Sequence, residues 1–248
     1  MRQLATAVAV AAAGMLAVSC GGGNQSSPSS SSTTTTTTAS KAPLAQAALT
    51  GLLLGAADID TALGITGSKN LESNDQLKND NPGDIFPKSY KFPDDCLFIM
   101  GPAESLVYAN SGNTAVHAER DGTSTDPNSP DAHQAVVLFP SAQQANAFFT
   151  ASSQHWSGCA NRKDDVPGEG DNPDVHWEVG QVTNANGVLS VTSKISLTKN
   201  GQTLSGNCQR ALTTRNNVVI DVEACKQDDP GNAAVTIANQ IAGKVDKQ

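Results

Sequence analysis

The sequence has few aromatic and few basic residues. Aromatic side chains make up 4% of the 248 residues, and 16 Lys and Arg stand against 24 Asp and Glu, a net charge of −8. A nucleic-acid-binding protein needs a basic surface and, for single strands, aromatic side chains on which bases stack. The composition therefore predicts an acidic globular protein that has no nucleic-acid partner.

Catalytic and metal-binding signatures are also missing. The chain contains no Gly-x-Ser-x-Gly, no His-Glu-x-x-His, no Gly-x-x-x-x-Gly-Lys and no Cys-x-x-Cys, and its four histidines are not at ligand spacing. These motifs carry the commonest nucleophilic, zinc and phosphate sites. We therefore predict no catalytic residue, no metal and no cofactor, and keep a hydrolase only as a remote alternative.

The N-terminus has the pattern of an export signal. Arg2 precedes an uncharged, mostly apolar run, Leu4 to Val18, which is shorter than the roughly 20 residues of a spanning helix. The run ends in Leu-Ala-Val-Ser-Cys, which resembles a bacterial lipobox and implies a diacylglyceryl group on Cys20. Residues 1–19 are thus predicted to be a signal peptide. An ordinary cleaved signal followed by an incidental cysteine is the alternative.

The segment after Cys20 is typical of a tether. Residues 21–40 are rich in Gly, Ser and Thr and carry no charge, so they cannot bury enough apolar surface to order themselves. We interpret residues 20–42 as a flexible, lipid-anchored linker and residues 43–248 as the domain it holds. The expected location is the extracytoplasmic side of the cell membrane, with the N-terminal lipid as the membrane contact.

Four further cysteines are expected to pair as two disulfides, as in many exported proteins. If Asn216-Asn217 is a two-residue hairpin turn, facing residues have numbers that sum to 433, and Cys208 then lies opposite Cys225. Seven steps from the turn, such a pair is non-hydrogen-bonded and within disulfide range. Cys96 and Cys159 remain as the second pair.

Turn signals divide the C-terminal part into strands. Asn186-Gly187, Asn200-Gly201 and Asn216-Asn217 separate runs at 175–185, 188–199, 202–215 and 218–225, which predicts a four-stranded antiparallel meander. Helical patterns precede the meander and follow it, and the apolar stripe at 234–245 is expected to be core. The fold class predicted is α+β, an antiparallel sheet of this meander and N-terminal strands, covered by helices.

The register also suggests a ligand site. Arg210 lies opposite Glu223 on the disulfide face, and the preceding turn brings Ile195 to the same face. Either a bulge near Gly206 exchanges the faces or both faces are partly covered. We expect Arg210 and Glu223 to contact a ligand that Trp177 flanks; an ion pair on the surface is the alternative.

From about residue 49 onward the chain resembles the extracellular sensor domain of mycobacterial receptor kinases of the PknH type. The resemblance rests on Phe-Pro-Ser at 139–141, Trp-Ser-Gly-Cys at 156–159, Cys-Gln-Arg-Ala-Leu at 208–212 and the stretch 217–225. It implies an α+β domain with two disulfides and a cleft over the sheet that binds a ligand. Here a lipid anchor takes the place of the kinase and its membrane span.

These observations predict a non-catalytic, lipid-anchored module of the mycobacterial cell envelope that binds or senses an unidentified small molecule or envelope component. We expect it to be a monomer. The alternative is a structural or accessory lipoprotein that binds a protein partner. A deep cleft would favour the first interpretation, and an exposed apolar patch without a cleft would favour the second.

Overall fold

The computed structural model describes residues 41–248. The predicted signal peptide, Cys20 and nearly all of the tether lie outside these residues. No helix within the described part is long and apolar enough to cross a membrane.

The strands are β1 Lys69–Asn74, β2 Ala115–Gly122, β3 Asp131–Leu138, β4 Lys163–Val166, β5 Asp174–Val179, β6 Thr183–Ala185, β7 Val188–Lys199, β8 Gln202–Arg215 and β9 Val218–Lys226. The helices are α1 Ala56–Leu63, α2 Asp94–Leu97, α3 Ser105–Tyr108, α4 Ala142–Cys159 and α5 Ala233–Val245, with 3-10 turns at Gln46–Gly51 and Pro82–Asp84.

All nine strands form one antiparallel sheet in the order β1-β2-β3-β9-β8-β7-β5-β4, and β6 also pairs with β7. The predicted α+β class is confirmed. The first meander run is divided at Gly180, so that β5 and β6 pair with opposite ends of the long strand β7. The short strands β1 and β4 lie outside the predicted meander, in polar segments that show no strand period.

The three predicted turns connect the strands as expected. Asn186 and Asn200 have φ of 54°, and each is followed by a glycine that also has positive φ. At the third turn only Asn216 has positive φ, 51°. The side chain of Asn217 is buried and donates a hydrogen bond to the Phe139 carbonyl over 2.8 Å. Arg215 nevertheless faces Val218, as the sum of 433 requires.

One face of the sheet is covered by α5, α1 and the first 3-10 turn; we call it the α5 face. Alternate β9 residues point into it, and Ile220 and Val222 pack with Ile237 and Ile241 of α5. These four side chains are fully buried. The α5 stripe of apolar residues is therefore core, as its helical spacing indicated.

The opposite face, which we call the α4 face, is covered by α4 and by the segment 75–113. Val219 of β9, Trp156 of α4 and Tyr108 of α3 belong to its buried cluster. The β7–β8 pairing runs without a shift past Gly206, which faces Ile195. The two-face alternative is therefore correct and the bulge is wrong. Arg210, Glu223 and Trp177 all lie on this covered face because strand side chains alternate.

Candidate functional site

Two disulfides cross-link the elements on the α4 face. Cys96 of α2 is bonded to Cys159 at the end of α4, with 5.0 Å between the Cα atoms, and Cys208 is bonded to Cys225 across β8 and β9, with 4.1 Å. Both pairs are those expected from the sequence. The first disulfide joins the segment 75–113 to the long helix, and the second joins the two strands that form the floor beneath that segment.

A cleft of about 260 Å³ opens between this segment and the sheet. Its aromatic part is a cluster of three rings: Phe92 stacks on Trp177 with 5.4 Å between the ring centroids, and Phe86 lies 5.1 Å from Phe92. Ring pairs at these separations add about 0.5–1.5 kcal/mol beyond the area they bury. The remaining lining residues are Ile85, Cys96, Ile99, Met100, Val179, Ser193, Lys194, Ile195, Cys208 and Glu223.

Glu223 is the one carboxylate that lines this cleft. It is half-buried, and no side chain within residues 41–248 donates a hydrogen bond to it or forms an ion pair with it. Burial raises the pKa of Glu223; the positive charges of Arg210, His133 and Lys78 oppose this rise. The Trp177 Nε1–H, on another residue of the lining, is buried and also has no hydrogen-bond partner within the described residues. An apolar cleft with a few polar groups is the usual form of a small-molecule site.

Arg210 does not line the cleft. Its side chain is 1% exposed and its Nη2 donates a hydrogen bond to Asp221 Oδ1 over 2.6 Å. The guanidinium also lies 5.7 Å from the ring centroid of Trp156. Arg210 does face Glu223 in the sheet register, but its ion-pair partner is Asp221. The expectation that Arg210 contacts a ligand beside Glu223 is therefore corrected, and so is the surface alternative, because the ion pair is buried.

Asp221 connects the sheet to the covering segment. Its second oxygen, Oδ2, accepts hydrogen bonds from the Ala103 backbone N–H over 3.0 Å and from the Tyr108 hydroxyl over 2.9 Å. Burial raises the pKa of Asp221, and the Arg210 charge and these hydrogen bonds oppose the rise. The cluster fixes the C-terminal end of the segment that forms one wall of the cleft.

The two ends of that segment meet at a narrow neck. Lys78 and Glu104 form a parallel β-bridge, and the Glu104 carboxylate accepts a hydrogen bond from the Asp80 backbone N–H over 3.2 Å. Residues 81–102 form a loop closed at this neck, and they carry Phe86, Phe92 and the other residues of the cleft wall. Burial raises the pKa of Glu104 to about 7, against the opposing charge of Lys78.

The cleft contains two of the three residues chosen from the sequence, Glu223 and Trp177. Sequence reasoning missed the wall residues because residues 70–93 show no helical or strand period. The only available signal was the recurrence of aromatic residues beside prolines, Phe86-Pro87 and Phe92-Pro93, in a chain with few aromatics. Such a pattern does not say which sheet face the loop will cover.

One group of potential metal ligands occurs in the described residues: Cys208, Cys225 and Glu223, whose ligand atoms lie within 4.8 Å of one another. Both sulfur atoms belong to a disulfide and offer no thiolate. The arrangement instead locates the Glu223 carboxylate beside the disulfide on the cleft floor.

The described residues thus form an α+β domain in which one antiparallel sheet carries two disulfides and an aromatic cleft over one face. The model of the PknH-like extracellular domain matches residues 44–244, and the chain belongs to this family.

Known relatives agree with this assignment. The serine/threonine-protein kinases PknH of Mycobacterium bovis and Mycobacterium tuberculosis are each 29% identical over 206 residues, which is 83% of this chain. The crystal structure of the extracellular domain of PknH from Mycobacterium tuberculosis is similar with a TM-score of 0.69 and 27% identity, over 84% of this chain and 99% of that one. This chain spans 30–32% of the length of these kinases. The similarity is to the extracellular sensor portion and not to a kinase catalytic domain.

Proposed function

We propose that this protein is a non-catalytic, lipid-anchored sensing module on the extracytoplasmic side of the cell membrane, and that its cleft binds a ligand with an apolar body and one hydrogen-bond donor. The observation that carries the proposal is the cleft with its ring cluster and the unpartnered Glu223 carboxylate. The apolar body would contact Phe86, Phe92 and Trp177, and the donor would approach Glu223.

Charge and burial support this ligand chemistry. A carboxylate without a partner is costly to bury, so a donor on the ligand recovers hydrogen-bonding energy that the empty cleft lacks. Arg210 is held by Asp221 beneath the wall and does not line the cleft, so it offers no contact to an anionic head group. The family's occurrence as the extracellular part of PknH supports an extracytoplasmic sensor, and the lipobox at Cys20 supports anchoring by lipid.

The accessory-protein alternative receives less support. It predicts an exposed apolar patch in place of a cleft. Within residues 41–248, Leu106 is the only large hydrophobic side chain that is exposed, at 54%. A single exposed leucine does not form such a patch.

The test uses N-phenyl-1-naphthylamine, a neutral apolar fluorophore with one N–H donor. We expect its fluorescence to rise on binding, and Phe92→Ala to weaken binding at least about tenfold, roughly 1.4 kcal/mol. Phe149→Ala on α4 is the matched control, since Phe149 is half-buried and lies outside the cleft. Equal affinities of the two variants, or no binding to the parent protein, would contradict the proposal.

Native mass spectrometry identifies the natural ligand. The protein is purified from its own envelope, and a bound mass is expected on the parent protein but not on Phe92→Ala. Glu223→Gln is expected to retain apolar probes while losing ligands whose donor is a cationic amine.

A further inference from the structure

The two disulfides differ in how far solvent reaches them. Cys96 borders the aromatic cleft but is only 2% exposed, and Cys159 is 0% exposed. Cys208 and Cys225 are half-buried, and Cys208 lines both the aromatic cleft and an adjoining groove. Because thiol–disulfide exchange needs direct approach of a thiolate to a sulfur atom, access alone favours reaction at Cys208.

The Cys208–Cys225 disulfide also has an acid beside it. A carboxylate oxygen of Glu223 lies within 4.8 Å of both sulfur atoms and takes part in no hydrogen bond within the described residues. Four groups from the neighbouring elements face this carboxyl: Arg210 of β8, His133 and Asp131 of β3, and Lys78 of the covering segment. Burial outweighs the positive charges among them, so the pKa of Glu223 is raised and the protonated form persists to higher pH than in a free glutamate.

We propose that Cys208–Cys225 is a thiol–disulfide exchange site for a low-molecular-weight thiol that enters through the cleft, with Glu223 as its proton donor. Nothing in the sequence motifs or in the family match assigns this chemistry. It requires only that the cleft is open, and it does not depend on which ligand occupies the cleft.

The thiol–disulfide exchange takes place in two steps. The thiolate of the incoming thiol attacks Cys208 Sγ, a new sulfur–sulfur bond forms, and the Cys208–Cys225 bond breaks with its electron pair moving to Cys225 Sγ. Glu223 transfers its proton to that sulfur and becomes a carboxylate. The thiolate of a second molecule of the same thiol then attacks the outer sulfur of the mixed disulfide. The oxidised thiol leaves, the electron pair moves to Cys208 Sγ, and Cys208 and Glu223 each take a proton from water, so that Cys208 and Cys225 end as free thiols.

The position of the Cys208–Cys225 disulfide in the sheet determines which strand pairing its reduction would affect. Cys208–Cys225 and the neighbouring pair Asn207–Lys226 are the last pairs of the β8–β9 ladder, whereas the ladder continues on the other side to Arg215 and Val218. Reduction would loosen the pairing of β8 with β9 at this end, while β8 stays paired with β7 through Gln202 and Cys225 stays paired with Asp131 of β3. The cleft would then respond to the thiol content of its surroundings.

The test treats the folded protein with 2-mercaptoethanol, traps free thiols with N-ethylmaleimide and maps the adducts by mass spectrometry. We expect the mixed disulfide on Cys208 and a rate at least about tenfold above that of Cys96–Cys159, which stays bonded. Modification of Cys96 or Cys159 at a similar rate, or no adduct on Cys208, would overturn the proposal.

The pH profile tests the role of Glu223. Divided by the thiolate concentration, the rate constant of the parent protein should fall at least about tenfold as the pH rises through the raised pKa of Glu223 and the proton donor becomes a repelling carboxylate. Glu223→Gln should abolish this fall. The control is Glu178→Gln in the adjoining groove, whose carboxylate is paired with Lys163 and His176 and which should keep the parental profile.

A flat profile in the parent protein would refute the role of Glu223 even if the glutamine variant failed to fold. The two proposals for the cleft fail independently. Exchange without binding of N-phenyl-1-naphthylamine would contradict the proposed ligand site alone, and binding without exchange would contradict the reactive disulfide alone.

Discussion

Arg210 donates a hydrogen bond to Asp221 across β8 and β9, although the residue directly opposite Arg210 is Glu223. Asp221 is the diagonal neighbour on the same face, within reach of a long side chain. Because Asp221 also binds Ala103 and Tyr108, the ion pair joins the sheet to the segment that walls the cleft. Arg210 thus shapes the cleft without lining it.

The first prediction concerns this ion pair. Arg210→Met should lower the free energy of unfolding by about 3–5 kcal/mol, because removal of one partner leaves the Asp221 charge buried and uncompensated. Denaturant unfolding followed by circular dichroism measures the change. A loss below about 1 kcal/mol would show that the pair is solvated.

A paired variant separates the charge effect from lost packing. Arg210→Met combined with Asp221→Asn removes both charges, while an asparagine oxygen can still accept from Tyr108 and Ala103. We expect this double variant to be more stable than Arg210→Met alone. If it is less stable, packing of the Arg210 stem is the dominant contribution.

The second prediction is a pH dependence of stability centred on Glu104. Its folded pKa, about 7, lies above the unfolded value of 4.5, so its favourable contribution is complete below pH 4.5 and is lost as the pH rises through about 7. The loss is at most about 3–4 kcal/mol, since each pKa unit corresponds to about 1.4 kcal/mol. The charge of Lys78 opposes the rise in the pKa of Glu104, and the charge of Asp80 adds to it.

The measurement compares the parent protein with Glu104→Gln at about pH 5 and about pH 8. The free energy of unfolding of the parent should fall more over this interval than that of the variant. Glu72→Gln is the control, because Glu72 is an exposed residue of the edge strand β1. Parallel pH curves for all three proteins would exclude Glu104 as the source.

The third prediction compares the disulfides. The Cys96–Cys159 bond closes a separation of 63 residues and Cys208–Cys225 one of 17. In the chain-entropy model their removal costs about 4 and about 3 kcal/mol respectively. Paired Cys→Ser variants of each bridge, unfolded in denaturant, should show this order.

Peptide mapping without reduction should yield only these two linkages, and a Cys159–Cys208 peptide would contradict them.

The fourth prediction concerns the anchor. Cys20→Ser removes the thiol that would accept the diacylglyceryl group, so the protein should be released from membranes or remain unprocessed. Membrane fractionation with intact mass measurement distinguishes these products from the lipidated parent. A variant that stays in the membrane fraction with the parental mass would contradict the lipobox interpretation.

Local signals in the sequence predicted much of the sheet. The three Asn-containing turns set the register of β7, β8 and β9, and the register set the position of Cys208 opposite Cys225, because a two-residue turn fixes every pair that follows it. The helical stripe of α5 likewise indicated which of its residues are buried. These features depend on neighbours along the chain or on a hairpin, and the sequence contains them directly.

The position and the lining of the cleft depend on contacts between segments far apart in the sequence, which no local sequence pattern encodes. The loop 81–102 has no period, and its place over the sheet follows from the neck at Lys78 and Glu104 and from the disulfide between Cys96 and Cys159. The choice of Asp221 over Glu223 as the partner of Arg210 likewise followed from burial by α4 and by Tyr108. The sequence by itself determined the strands, their register, the disulfide pairs and the export signal's pattern, because each rests on spacing along the chain. Only the tertiary structure decided which loop covers the sheet and which carboxylate is left without a partner, because those outcomes depend on segments far apart in sequence that exclude water from the same face.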